Sequence, residues 1–195
     1  MFSVTTCFPI LHKFHVFSTY SLADELLSRG FNVLVHGRSP TKLSATVDKL
    51  RQKHPNRAVE SVQADFDKIS DLPNIPAAMH GKNVTLFVNN VAPMDQVKDD
   101  YILVGDDKNP KGREKRQMMV NVMVTFTTAL IDAVIPLLRD TADGGPSIMV
   151  NVGSAAGKNP VPYIAVYGAS KAYLMVSCTF PVFKGVLKHY QCAST

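Results

Sequence analysis

Three cysteines in 195 residues, Cys7, Cys178 and Cys192, are too few for a disulfide framework and lack metal-ligand spacing. A reducing compartment is therefore the default reading. The histidines show no HExxH-type spacing, so no metal is expected. No glycine precedes Gly30, and the first acidic residue is Asp24. No apolar run approaches the roughly 20 residues that a membrane-spanning helix needs. At the N-terminus no basic segment stands ahead of an apolar one, since Lys13 follows the apolar stretch, and arginine is absent there. That pattern argues against a secretory signal and against a transit peptide. Repeats and low-complexity segments are also missing. A soluble intracellular globular protein remains, with the cytoplasm as the expected location.

What is present fits one packed domain over 1–195. Hydrophobic residues make up 46% and charged residues 19%, with 11 Gly and 12 Pro, which excludes disordered, collagen-like and linker compositions. The formal net charge of +5 favours attraction of anions such as nucleotide phosphates or thioester cofactors. A basic cluster of Lys108, Lys111, Arg113, Lys115 and Arg116 has no interleaved aromatics for base stacking. It reads as a solvated loop and helix start, and no nucleic-acid partner is expected.

From residue 21 the chain alternates between helical and extended patterns. Ser21-Leu22-Ala23-Asp24 reads as a capping box, with Gly30 as the stop of that helix. A short apolar run at 31–36 suits a buried strand. Ser39 then offers an N-cap with Pro40 in the first helical position. Leu43, Val47 and Leu50 line one face of that helix. Further strands are expected at 58–64, 84–88 and 148–152. Helices are expected at 113–138 and through Tyr167–Val176, with mixed turn and helix at 66–80. Ser3–Ile10 could form an edge or first strand, although Pro9 weakens it. Strand and helix alternating at this spacing predict a doubly wound α/β domain with a parallel sheet.

Chemistry concentrates in a few positions. Tyr167 and Lys171 stand four residues apart on one helix face. An ammonium about 4 Å from a phenolate is worth roughly 4 kcal/mol at an effective dielectric of about 20. That is enough for a phenol to exchange protons near neutral pH. The same spacing also describes an ordinary solvated helix face. Ser154 follows the strand ending at Val152, and its hydroxyl could bond a substrate carbonyl. Asn89-Asn90-Val91-Ala92 follows the strand at 84–88, and Asn121 lies in the long helix between. Ligands of open α/β sheets bind beyond the carboxyl ends of strands, where both segments emerge.

Asn89-Asn90-Val91-Ala92, Asn121, Ser154 and Tyr167-x-x-x-Lys171 together resemble the short-chain dehydrogenase/reductase family over roughly residues 21–178. Val91 and the run Asn159-Pro160-Val161-Pro162 resemble its branch of very-long-chain 3-oxoacyl-CoA reductases and hydroxysteroid dehydrogenases. The resemblance implies a Rossmann-like three-layer sandwich and hydride transfer between a nicotinamide cofactor and a carbonyl/alcohol pair. Tyr167 would be the proton donor or acceptor, and Lys171 would ease its ionisation and hold the nicotinamide ribose. Ser154 would orient the carbonyl, and Asn121 would support a proton relay. Asn89 would sit beside the adenosine ribose and Asp65 at the adenine edge. His36-Gly37-Arg38-Ser39 carries no acidic residue for a ribose 2′-hydroxyl. Arg38 could instead fork onto a 2′-phosphate, so NADP is expected over NAD.

The family's glycine-rich turn would fall at positions 13, 17 and 19, where this chain has Lys13, Phe17 and Thr19. Backbone approach to a pyrophosphate would be compromised there. The single domain is therefore expected to consist of an atypical segment at 1–20, a family-like region at 21–180 and a divergent tail at 181–195. The sheet is expected to be incomplete at the C-terminal end, with Pro181 interrupting the helix and no strand placed after it. Two function classes stay open. One is an NADP-dependent oxidoreductase acting on a small-molecule carbonyl or alcohol, such as an acyl thioester or steroid-like ketone. The other is an inactive relative serving as a binding module. A homodimer through the 113–138 and 165–180 helices is expected in either case, and the branch resemblance offers the endoplasmic reticulum membrane surface as an alternative location.

Overall fold

The first helix, α1 (Thr19–Ser28), begins two residues ahead of Ser21, so Ser21 lies within the helix and does not cap it. Its far end closes as the sequence implies. Gly30 adopts φ +95°, its N–H donates to the Leu27 carbonyl at 3.0 Å, and the Phe31 N–H donates to Leu26 at 3.1 Å. This paired closure needs a left-handed residue, which glycine adopts without steric cost. The computed structural model describes residues 19–93, 110–140, 147–178 and 190–193. The strand read at Ser3–Ile10, positions Lys13 and Phe17, most of the loop before Gly112, the turn at 141–146 and Pro181 lie outside them.

The chain divides into two compact units. The first comprises residues up to Thr85 together with Ala133–Ser147. In it β1 (Val33–Gly37) runs parallel to β2 (Val59–Gln63), with Gly37 opposite Gln63. A parallel pair requires a crossover, and α2 (Pro40–Lys53) supplies it. Ser39 caps α2 by accepting from the Lys42 N–H, and Pro40 occupies the first turn. Leu43, Val47 and Leu50 are buried against Ala23, Leu27, Val35 and Val59. Each such side chain contributes about 1.5–3 kcal/mol by leaving water. A single 3-10 turn at Ile69–Asp71 and the short α3 (Asn74–Met79) follow, as the proline-punctuated sequence implies.

The second unit comprises Leu86–Asp132 and the chain from Ile148 onward. Its sheet has the order β3 (Leu86–Asn89), β4 (Ile148–Val152), β5 (Tyr190–Ala193), all parallel. β5 lies where the sequence predicts no strand beyond the Tyr167 helix, and its pairing with β4 overturns that expectation. β3 is two residues later than the apolar run at 84–88 and is only partly buried before Asn89. The connection from β3 to β4 carries α4 (Pro110–Val120), a π-helical turn at Asn121–Phe126 and α5 (Thr127–Arg139). The crossover from β4 to β5 carries α6 (Ala165–Cys178). These parallel strands flanked by helices form an α/β fold of the Rossmann type.

The sequence predicts no apolar stretch of membrane-spanning length, and the folded helix differs from that expectation. The helical run Gly112–Arg139 is long and apolar enough to cross a membrane by length and composition. The same pattern belongs to a helix packed in protein, and Met119, Met123, Phe126, Leu130, Val134 and Leu138 form a stripe no more than 2% exposed.

Candidate active site

In the second unit, β3 and β4 end side by side, and their last turns carry the polar groups. Asn89 stands opposite Asn151 in the ladder, and its Nδ2 donates to Asn151 Oδ1 at 2.9 Å. Both side chains are buried. Two amides in an apolar sheet are tolerated because each meets the other; unpaired, either would cost about 1–3 kcal/mol. Asn151 is a site residue that the motif pattern does not single out. The available signal was an amide inside the apolar run Ile148–Val152, where a buried polar side chain requires a partner.

Lys171 is 3% exposed, and its ammonium donates to the Val152 carbonyl at 2.7 Å and to the Val91 carbonyl at 3.4 Å. The cation thus bridges the chain leaving β3 and the last residue of β4. Burial pulls its pKa from the ordinary lysine value of 10.5 down to about 8. The Tyr167 ring centroid lies 5.9 Å from Nζ, within cation–π range. Tyr167 itself is half-buried on the first turns of α6.

Ser154 has extended backbone and opens the 3-10 turn Ala155–Gly157, accepting from the Ala156 N–H at 3.3 Å. The hydroxyl is the acceptor in that bond, so its own hydrogen is not spent on it. Two glycines set this turn hard against α6. A Cβ at Gly168 would stand 2.7 Å from the Ala156 carbonyl oxygen. One at Gly157 would stand 2.9 Å from the Ala172 nitrogen and 3.0 Å from the Lys171 carbonyl carbon. The turn bearing Ser154 therefore rests on the helix between Tyr167 and Lys171 with no room for a methyl. Gly168→Ala is expected to lower the stability of the chain by about 1–3 kcal/mol through overpacking. An unchanged midpoint in thermal unfolding would contradict this packing.

The approach to α6 is also constrained. Tyr163 holds φ +68°, a left-handed value rare for an aromatic residue, and leaves its side chain 51% exposed beside exposed Val161. Asn121 is the first residue of the π turn, and Gln117 Nε2 donates to its Oδ1 at 3.0 Å. The π turn packs against α6. Asn89, Asn121, Ser154, Tyr167 and Lys171 thus all belong to one unit, and the elements carrying the last four pack around α6.

Arg38 and Asp65 belong to the first unit, each just beyond the carboxyl end of its strand. Arg38 is exposed, and its carbonyl accepts from Gln63 Nε2 at 3.5 Å. Asp65 Oδ1 accepts from the Asp67 N–H at 3.2 Å, closing a local turn. His36 lies between them. Its Nε2 donates to the Ala64 carbonyl at 2.7 Å, and its ring meets Phe66 at 4.2 Å between centroids. Desolvation holds the His36 imidazole below the usual histidine value, so it stays neutral and serves as a brace between the two strand ends.

The sequence pattern described as short chain dehydrogenase matches residues 19–177. The chain belongs to this short chain dehydrogenase family. Among individual relatives, it is 27% identical over 154 residues to the very-long-chain 3-oxoacyl-CoA reductase-A of Danio rerio. That match covers 79% of this chain and 46% of that protein. A very-long-chain 3-oxoacyl-CoA reductase of Podospora anserina is 28% identical, with coverage of 78% and 42%. The chain therefore spans about half the length of these short chain dehydrogenase relatives. Among solved structures, a short-chain dehydrogenase from Sphingobium yanoikuyae in complex with NADPH superposes with a TM-score of 0.65 at 25% identity. It covers 83% of this chain and 58% of the other. The L-sorbose reductase of Gluconobacter frateurii, at 18% identity and a TM-score of 0.66, shares the fold.

Proposed function

We propose that the chain is an NADP(H)-dependent oxidoreductase that interconverts a carbonyl and an alcohol. The observation that carries this reading is the meeting of Tyr167, the buried Lys171 ammonium and the Ser154 turn at the ends of β3 and β4. Membership in the short chain dehydrogenase family and the NADPH bound by the Sphingobium yanoikuyae relative support it.

The cofactor, when bound, supplies or accepts a hydride at the substrate carbon. Arg38 fits its 2′-phosphate, because an exposed guanidinium follows β1 and no carboxylate stands between β1 and α2. Lys171 and Tyr167 would hold the nicotinamide ribose, with Asn89 near the adenosine ribose and Asp65 at the adenine edge. In carbonyl reduction, Ser154 donates its hydroxyl hydrogen to the substrate oxygen and fixes its direction. Tyr167 then passes its phenolic proton to that oxygen as negative charge develops. The Lys171 ammonium stabilises the resulting phenolate, and its site near the low-dielectric sheet strengthens that attraction. Asn121 supports the relay that returns a proton to Tyr167.

The names of the 3-oxoacyl-CoA reductase relatives favour an acyl thioester as substrate, and a steroid-like apolar ketone stays the alternative from the branch resemblance. Exposed Val161 and Tyr163 beside α6 suit an apolar substrate. A homodimer through α4–α5 and α6 belongs to the same proposal, and Val176, 55% exposed on α6, supports it. A second reading, favoured by Lys13, Phe17 and Thr19 at the glycine-turn positions, keeps the fold as a binding module without turnover.

Cofactor discrimination tests the proposal. Arg38→Ala is expected to lower the NADPH-over-NADH preference in kcat/KM by roughly 10- to 100-fold, since one charge-assisted fork is lost. An unchanged ratio would contradict the assignment of Arg38. Turnover of a test ketone by neither cofactor would favour the binding module.

A further inference from the structure

The π turn at Asn121–Phe126 is closed by a side chain. In a regular α-helix a threonine hydroxyl bonds the carbonyl three or four residues back. Thr128 does so, with Oγ1 donating to the Val124 carbonyl at 2.7 Å. Thr127 reaches one residue further: its Oγ1 donates to the Val122 carbonyl, five residues back, at 3.0 Å. Only the wider turn brings that carbonyl under the hydroxyl. Thr127 is fully buried, so a hydroxyl without this bond would be costly there. Its backbone N–H meanwhile turns to the Val124 carbonyl. Side chain and main chain of one residue thus serve two different carbonyls of the wide turn.

The adjacent threonine ties the same turn to α6. With its hydrogen committed to Val124, Thr128 Oγ1 accepts from the Tyr173 hydroxyl at 2.5 Å. Tyr173 lies two residues beyond Lys171 on α6. Asn121 opens the π turn at the other end, with its Oδ1 held by Gln117. A π turn adds one residue to the helical circuit and so shifts the direction of the side chains that precede it relative to those that follow.

We propose that Thr127 is a positioning residue that holds the wide turn and thereby aims Asn121, while touching neither substrate nor cofactor. The inference rests on the oxidoreductase reading for its consequence in turnover, but its structural arm stands apart from it. Thr127→Val keeps the side-chain shape and removes the donor; Thr127→Ser keeps the donor. In Thr127→Val the Asn121 side-chain amide resonances in a 15N-resolved spectrum are expected to move, and in Thr127→Ser to remain near the wild-type positions. Amide exchange over 122–126 is expected to quicken in the first variant only. If the resonances stay unmoved in Thr127→Val, the proposal fails, whether or not the chain turns over a substrate.

The kinetic arm uses a double-mutant cycle. Thr127→Val is expected to lower kcat roughly 10-fold with KM little changed, and Thr127→Ser to restore it, because misaligning a relay group acts on the rate. In an Asn121→Ala background Thr127→Val is expected to have no further effect on kcat. Full additivity in that background would overturn the proposal, since Thr127 would then act elsewhere. Where Thr127→Val does not fold, Thr127→Ala carries the same comparisons. Absence of turnover in the wild-type chain would count against the oxidoreductase reading alone, with the resonance arm still deciding the role of Thr127.

Discussion

Replacing Tyr167 by phenylalanine is expected to lower kcat for carbonyl reduction by roughly 10²- to 10⁴-fold, the range for loss of a positioned general acid. The reason is local. Phenylalanine keeps the ring that lies 5.9 Å from the Lys171 ammonium, so packing of α6 is preserved while the proton is removed. The thermal midpoint should change little by comparison, checked by circular dichroism, while NADPH affinity, followed by calorimetry, is expected to fall only by the loss of one ribose hydrogen bond, far less than kcat. Turnover retained within a few-fold of wild type would remove Tyr167 from the acid–base role, and with it the proposed mechanism.

The second large effect concerns Lys171 and appears in stability. The buried ammonium has its pKa lowered from 10.5 to about 8 by desolvation. A folded-state pKa below the unfolded value means that the unfolded chain binds more protons between the two. The associated stability is therefore fully present above pH 10.5, falls as pH drops through that window and is lost below about 8. With each unit worth about 1.4 kcal/mol, the span corresponds to about 3 kcal/mol. Lys171→Met removes this titration. The stability of wild type minus that of Lys171→Met is expected to rise by about 3 kcal/mol from pH 8 to pH 10.5, measured by urea unfolding at each pH. A difference that stays flat across the window would contradict the burial of a charged amine there. The variant is also expected to lose turnover, so the site holds a cation at a cost in stability near neutral pH.

Local rules made part of this fold legible in the sequence. Ser39-Pro40 opens α2 because both residue types suit a helix start, and the Leu43, Val47, Leu50 spacing buries one face. Gly30 closes α1 for the reason given by its φ. Ser21 carries a capping-box pattern without capping, since Thr19 and Tyr20 already belong to the helix. Placement of β5 depends on pairing with β4, a contact that no local pattern in Tyr190–Ala193 announces.

The site divides in the same way. Tyr167 and Lys171 are legible because helical spacing places them on one face. The environment of Lys171 is not, because its carbonyl partners come from Val152 and Val91, 19 and 80 residues away. The Asn89–Asn151 pair spans 62 residues, and only the polarity of each within its strand hinted at it. The π turn left still less trace. Hydrophobic periodicity cannot register one extra residue in a helix, and the sign that Thr127 bonds five residues back emerges only from the folded chain. Membership in the short chain dehydrogenase family, by contrast, shows in the resemblance of Asn89-Asn90-Val91-Ala92, Asn121, Ser154 and Tyr167-x-x-x-Lys171 taken together.

Isotope transfer tests the central claim most directly. Wild-type chain is incubated with a ketone and NADPH carrying deuterium at the transferable nicotinamide position, and the alcohol is analysed by mass spectrometry. The expected product is heavier by one mass unit with wild type and missing with Tyr167→Phe. Unlabelled alcohol, or equal yields from the two proteins, would contradict hydride transfer assisted by Tyr167.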